Sequence, residues 1–254
     1  LNLIFGVKKF CPDAHIIKLG SMGEYGTPNI DIEEGWLWIQ HNGREQKIAF
    51  PKDPGSFYHL SKIHDSANLQ LATRLWSLVV TDLNQGVVYG TGEHPLNGMF
   101  ATSFHYDDVF GTVLNRFLAQ AAIGLPLTVY GSGEHKRAFL DIRDTIQCVW
   151  LAACNPPTPG EFMVRNQFTE VFSIIGLAQR CAEALGCDWV KIENPRIEAA
   201  EHYYNPSNAS FRALGLKPHL LDNEAIRQLY DKVKPFAASI DSRVIQPRVQ
   251  WKLP

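Results

Sequence analysis

Apolar runs too short to be helices alternate along this chain with longer amphipathic runs, and that order constrains the fold more than any other feature. HIIKLG (15–20), LVVTDLNQGVVYG (78–90), LTVYG (127–131), EFMVRNQ (161–167) and DWVKIE (188–193) read as strands. Residues 1–10, 56–76, 107–124, 173–186, 207–214 and 223–240 read as helices, and AFLDIRD (138–144) leads into another that ends before Asn155-Pro156-Pro157. Ser56 and Ser173 carry the hydroxyl that an N-cap needs, and Gly186 closes the second of these helices. The segment 35–50 has two alternating runs around Asn42-Gly43, a hairpin signal, because that dipeptide accepts the positive φ angles of a tight turn. Strands alternating with helices predict an α/β protein whose parallel sheet is covered by helices. The short elements and loops of the second half predict a smaller α/β cap on that sheet domain.

Composition narrows the function classes. In 254 residues, 24 basic and 26 acidic side chains leave a net charge of −2. A bulk electrostatic nucleic-acid binder would carry a basic excess. No apolar window is long enough to insert into a membrane as a helix. The five cysteines, Cys11, Cys148, Cys154, Cys181 and Cys187, are odd in number and lack a C-x-x-C. That pattern predicts neither a disulfide framework nor a metal site, and fits a reducing compartment. The chain opens LNLIFGVKKF, which reads as the middle of a helix feeding a strand, so a longer protein preceding it is expected.

Chemistry gathers on two of these elements. Tyr58 and Lys62 are four apart on the helix 56–76 and so share one face. An ammonium beside a phenol stabilises the phenolate, and such a Tyr can take a proton from a sugar hydroxyl as hydride leaves the same carbon. Ser21 directly follows the strand HIIKLG, at the end of a parallel sheet where ligands bind, and its hydroxyl can share the substrate oxygen. The spacing alone is a weak signal. Tyr230 and Lys234 repeat it on the late helix with no such serine nearby, and their expected role is packing or surface. The Gly-, Asn- and Pro-rich stretch 91–105 reads as a long loop of the kind that often carries function.

These residues lie within longer motifs: GSMGEYGTPNIDIEEG (20–35), SFYHLSK (56–62), DLNQGVVYG (82–90), YDDVFGTVLNRF (106–117), PLTVYG (126–131), FLDIRDTIQCV (139–149), NQFTE (166–170) and NPRIEAAEHYYN (194–205). Together they resemble the UDP-sulfoquinovose synthase family, a branch of the extended short-chain dehydrogenases/reductases, over almost the whole chain. The resemblance implies a Rossmann-like doubly wound sheet, with 1–90 forming the later part of the NAD-binding domain. It implies that 91–254 mainly binds the UDP-sugar, with some segments returning to the sheet. It also implies NAD as cofactor, UDP-glucose and sulfite as substrates, and a homodimer formed through the helices 1–10 and 56–76. The compartment implied is the bacterial cytoplasm or the plastid stroma, without secretion, membrane insertion, nucleic acid or metal.

The resemblance also assigns roles. Ser21, Tyr58 and Lys62 act at the sugar C4 oxygen, with Tyr58 and Lys62 also on the cofactor. Gln85 and Val88 match positions beside the nicotinamide, and Gln85 also faces substrate. Leu127–Tyr130 resemble the backbone segment that reads uracil; Arg137 and Arg196 resemble the arginines that grip the pyrophosphate, a task suited to a planar fork of donors. In related 4,6-dehydratases an Asp-Glu pair follows the Ser/Thr and handles water elimination. Here Met22-Gly23 stand there. His59 is then a candidate acid for the leaving 6-hydroxyl, since imidazoles titrate near neutrality, and Glu24 is a second candidate acid or base. The chain departs from the family at Ser21, where Thr is usual, at Ser103 and His105, where Arg and Asp are usual, and at GSGEHKR (131–137), which replaces a more neutral Gly/Gln/Thr run and adds Glu134. The Gly-rich dinucleotide fingerprint does not occur in it; GTGEHPLNG (90–98) has neither the spacing nor a following helix start.

Overall fold

A computed structural model of the chain describes residues 1–91, 104–194 and 203–246. In chain order the elements are α1 (Asn2–Phe10), β1 (His15–Ser21), a 3₁₀ turn (Met22–Tyr25), β2 (Trp36–His41), β3 (Arg44–Ala49), α2 (Phe57–Trp76), β4 (Val79–Gln85) and β5 (Val87–Tyr89). Then come α3 (Val113–Ala122), β6 (Leu127–Tyr130), β7 (Lys136–Asp141), α4 (Ile142–Cys154), β8 (Phe162–Gln167) and β9 (Glu170–Ser173). The last are α5 (Ile174–Leu185), β10 (Trp189–Ile192), α6 (Ala209–Ala213), α7 (Asn223–Val233) and two further 3₁₀ turns. The chain divides into two units.

The first unit is formed by Leu1–Gly86, Asp144–Phe168 and Tyr203–Lys217. Its sheet has the order β1-β4-β8, all parallel, with Ser21 in register with Gln85 and Gln85 with Gln167. β4 is central and is buried along all but its last residue. Val80 packs with Ile4, Val7, Leu69 and Ala72 of α1 and α2, whereas Leu83 packs with Cys148, Ala152 and Phe211 of α4 and α6. Side chains three apart on a strand point to opposite faces, so this sheet is covered by helices on both sides, the doubly wound arrangement. β1 is less buried than its apolar run predicts: Leu19 is 44% exposed, because β1 is an edge strand of this sheet among the described residues. β2 and β3 form the expected hairpin, with Asn42 (φ 50°) and Gly43 (φ 72°) at its turn. Both residues take left-handed backbone, the two-residue turn whose twist matches the strands.

The second unit takes the described residues within Val87–Arg143, Thr169–His202 and Pro218–Pro254. It holds the sheet β5-β7-β9 and the parallel pair β6-β10. Leu114, Phe117 and Leu118 of α3, Leu177 and Cys181 of α5, and Ile226 and Leu229 of α7 close on Leu127, Val129 and Phe139 of the strands.

Four elements differ from the sequence expectation. The run 78–90 is two strands in two sheets, broken at Gly86, whose N–H bonds Gln167 O as the chain leaves β4. The helix expected from 107 begins at Val113, because the Asp107 carboxylate binds the N–H groups of Val109 and Phe110 in a turn of its own. KRAFLD is a strand, and its antiparallel partner β9 carries no period long enough to be seen in the sequence. The last helix stops at Val233 and continues as a 3₁₀ turn, where Pro235 lacks the N–H that an α-helix would use.

Candidate functional site

The carboxyl end of β1 runs straight into the 3₁₀ turn 22–25, and Ser21 is its cap. The Ser21 hydroxyl accepts from Gly23 N (3.1 Å), while Glu24 Oε1 accepts from Ser21 N (2.9 Å). This is a reciprocal capping box, which satisfies both donors that the turn would otherwise leave unpaired. Ser21 therefore sits at the strand end with its oxygen held from behind.

Across from it lies the first half of α2. Ser56 caps this helix by accepting from His59 N (3.2 Å). Tyr58, Lys62 and Ser66 follow at four-residue intervals, one stripe of the helix. Lys62 Nζ donates to Leu19 O on β1 (3.0 Å) and stands 5.7 Å from the Tyr58 ring centroid. Tyr58 is 59% exposed. His59 lies edge-on to Tyr58 with centroids 5.1 Å apart, its Nδ1 3.0 Å from Ser56 Oγ. Its ring rests on the backbone of Gly23, so a side chain on residue 23 would overlap the imidazole. The helix thus brings His59 to the Ser21 turn, although residues adjacent in a helix diverge by about 100°.

Beneath Ser21 is a cluster that the sequence reading missed. Glu24 has no accessible surface. Its Oε1 receives Lys18 Nζ (3.2 Å), and its Oε2 receives Lys52 Nζ (2.5 Å), which also donates to Ser66 Oγ (3.2 Å). Asp82, also fully buried, receives Ser66 Oγ (2.6 Å) and pairs with Lys18 (3.1 Å). Burial alone would raise the Glu24 pKa, but Lys52, Lys18 and the Ser21 N–H outweigh it and hold the carboxyl below its usual value. For Asp82 burial prevails and the pKa is raised. Glu24 was a candidate acid or base; its carboxylate is committed to these partners and is not carried into the chemistry below. One signal was available: Lys18 and Asp82 are charges inside runs that read as buried strands, and buried charges come paired. Beside the cluster, Asn84 Nδ2 donates to Tyr25 OH, which donates to Asn166 Oδ1 (2.7 and 2.8 Å).

Gln85 ends β4 in register with Ser21. In the second unit, Val88 lies on β5, paired with Leu140 of β7. Leu127 is fully buried on β6, so any contact it makes outside the core is through its backbone. The backbone of Thr128 is already engaged: Gln120 Oε1 accepts its N–H (3.1 Å) and Arg116 Nη2 donates to its carbonyl (2.8 Å). Arg116 also stacks on the Tyr130 ring at 4.0 Å, a contact with no sequence signature. Arg137 is half-exposed on β7, with Nη1 donating to Lys136 O (2.9 Å). Glu134 is exposed. His105 lies 3.8 Å from Asp107. Arg196 and Ser103 lie outside the described residues. Tyr230 packs on the second unit's core through α7.

Comparison with known proteins adds the following. Residues 7–164 match the NAD dependent epimerase/dehydratase family. The chain is 49% identical to the chloroplastic UDP-sulfoquinovose synthase of Spinacia oleracea over 99% of its own length and 54% of that protein. It is 40% identical to the UDP-sulfoquinovose synthase of Sulfolobus acidocaldarius over its full length and 67% of that protein. It therefore spans about half to two thirds of the length of these relatives. Among solved structures, a dTDP-glucose 4,6-dehydratase from Streptomyces venezuelae with NAD bound shares 16% identity and a TM-score of 0.69, covering 94% of this chain and 65% of that one. A UDP-glucuronic acid 4-epimerase from Bacillus cereus in complex with NAD shares 17% identity and a TM-score of 0.69, covering 95% and 66%. At that identity the likeness shows the fold, which is Rossmann-like α/β.

Proposed function

Because the chain belongs to the NAD dependent epimerase/dehydratase family, we propose that the protein carrying it converts UDP-glucose and sulfite to UDP-sulfoquinovose. The observation that carries this reading is the convergence of Lys62 and His59 of α2 on β1 and the Ser21 turn, in a chain with long, named relatives. NAD, when bound, takes the hydride from the sugar C4 and returns it at the end of the cycle. The residues present fit its ribose and nicotinamide side. Tyr58 offers an exposed phenol, Lys62 has three N–H donors of which Leu19 O takes one, and Gln85 and Val88 follow at and beyond the end of β4.

Tyr58 removes the proton of the 4-hydroxyl, with the Lys62 ammonium 5.7 Å from its ring centroid. Ser21, whose oxygen already accepts from Gly23, turns its own hydrogen toward the same sugar oxygen. The 4-keto group acidifies the C5 proton, and loss of that proton with the 6-hydroxyl gives a 5,6-ene conjugated to the ketone. His59, whose ring packs against Gly23, protonates the leaving hydroxyl. Sulfite then adds at C6, a proton from solvent replaces the one lost to solvent from C5, and Tyr58 returns its proton to the C4 oxygen. Arg137 and Arg196 hold the pyrophosphate, and the Leu127–Tyr130 backbone reads the uracil.

The exposed apolar residues of α1 and α2, among them Leu3, Phe5, Leu71 and Leu75, suit a homodimer formed through these helices. A monomer at micromolar concentration in sizing would count against it. Five free cysteines and a chloroplastic relative fit a reducing stroma or cytoplasm, and no helix of the described residues is long and apolar enough to cross a membrane.

The test is incubation of the full-length protein with UDP-glucose and sulfite, followed by mass spectrometry. UDP-sulfoquinovose that vanishes in Tyr58→Phe is the expected result. A second reading, another nucleotide-sugar epimerase or dehydratase, draws on the departures at Ser103, His105 and Glu134. It predicts a 4-keto or epimerised UDP-sugar without sulfur. Binding without turnover would leave a non-catalytic nucleotide-sugar-binding relative.

A further inference from the structure

We propose that Glu24 is a positioning residue that sets Ser21 through the main-chain N–H of that serine and locks it to the catalytic helix; the proposal rests on the catalytic reading of Ser21 given above. A carboxylate without accessible surface cannot meet a substrate, yet this one is bonded to the residue that does. Oε1 takes the Ser21 N–H and Lys18 of β1. Oε2 takes Lys52, four residues before the Ser56 cap of α2, and the same ammonium donates to Ser66, one turn beyond Lys62. A single side chain thus ties the strand end that holds Ser21 to both the entrance and the middle of the helix that holds Tyr58. The reciprocal bond from Gly23 N to Ser21 Oγ then fixes the hydroxyl itself.

The charge on Glu24 has a separate reason. Lys18 and Lys52 are largely withdrawn from water, with side-chain exposures of 9% and 16%, and Asp82 is the other carboxylate of the cluster. Two buried cations need two anions, and removing one leaves an uncompensated charge at considerable cost. Capping and neutralising are therefore distinct duties of one carboxylate, and substitution can separate them.

The experiment compares two charge-balanced doubles of the full-length protein. E24Q/K52M keeps an oxygen for Ser21 N; E24A/K52M removes it. Both leave Lys18 facing Asp82, so a role in charge balance alone predicts equal behaviour. The expected result is kcat within about threefold of wild type for E24Q/K52M, and about 10²-fold lower for E24A/K52M with KM unchanged, the scale of a small misplacement of a reacting group. Equal kcat in the two doubles would overturn the proposal. Hydrogen–deuterium exchange of the 18–25 peptide is read alongside: about tenfold faster exchange in E24A/K52M alone supports it, and equal rates oppose it. A wild type that produces nothing from UDP-glucose sinks the functional reading, and exchange still decides this one. Should E24A/K52M not fold, Glu24→Gln and Glu24→Asp replace the pair. Asp keeps the charge but falls one methylene short of Ser21 N, so it is expected to have the lower kcat; the reverse order would overturn the proposal.

Discussion

Two tyrosine–lysine pairs of identical spacing lie on two helices of this chain, and their local geometry is the same. Lys62 Nζ stands 5.7 Å from the Tyr58 ring centroid, and Lys234 Nζ stands 5.7 Å from that of Tyr230. Their surroundings differ. Lys62 bonds Leu19 O on β1, and the residue after Tyr58 lies on the Ser21 turn. Tyr230 packs on a core of Ile226, Leu229 and other apolar side chains, and Lys234 opens a 3₁₀ turn at the helix end. Helical spacing makes the pair; the neighbouring strand end is what makes Tyr58 and Lys62 the candidate site.

Turnover should separate the pairs most sharply at the phenols. Removing a general base costs on the order of 10²–10⁴-fold, so Tyr58→Phe is expected to lower UDP-sulfoquinovose formation by about 10³-fold, while Tyr230→Phe leaves it within about twofold. Comparable losses in both variants would mean that the strand end is not what distinguishes them.

His59 sharpens the comparison, because the α7 pair has no imidazole after its tyrosine. His59→Ala is expected to lower complete turnover by about 10²-fold while a 4-keto UDP-sugar still forms, detected by borohydride trapping and mass spectrometry. Unchanged overall turnover would remove His59 from the chemistry. Loss of the 4-keto product as well would make it a support for Tyr58 and not an acid.

The sequence showed one level of this site and hid the next. Ser21, Tyr58 and Lys62 were legible because each is a chemical group at a position set by a period or a strand end, and periods are local. The α/β alternation was legible for the same reason, as were the Asn42-Gly43 turn and the Ser56 and Ser173 caps. The Glu24 cluster was not, since Lys18, Lys52, Ser66 and Asp82 come from four separate stretches and meet only once β1, α2 and β4 are packed. The break at Gly86 and the strand β9 were hidden because pairing partners, not intrinsic preference, decide where short strands end.

Lysine substitutions should give a smaller split than the phenols. Lys62→Met removes both the cation beside Tyr58 and the bond to Leu19 O, and a loss of roughly 10- to 10²-fold in kcat is expected, with Lys234→Met neutral. Lys62→Arg keeps the charge but carries a larger planar head. Partial recovery in Arg would assign the main effect to charge, whereas no recovery would assign it to the tie between α2 and β1.

Stability should invert the comparison, and it is the smallest effect of the four. Tyr58 is 59% exposed and Phe57 beside it 83%, so Tyr58→Ala opens no cavity and is expected to leave the urea midpoint unchanged. Tyr230 covers part of the second unit's core, and Tyr230→Ala is expected to cost about 1–2 kcal/mol, the ordinary range for a partly buried side chain. A protein in which Tyr58→Ala is the more destabilising of the two would have its α2 tyrosine inside a packed surface, as a homodimer through α1 and α2 would create. Repeating the midpoints across a range of protein concentration tells the cases apart, because only a subunit interface makes the Tyr58→Ala loss depend on concentration.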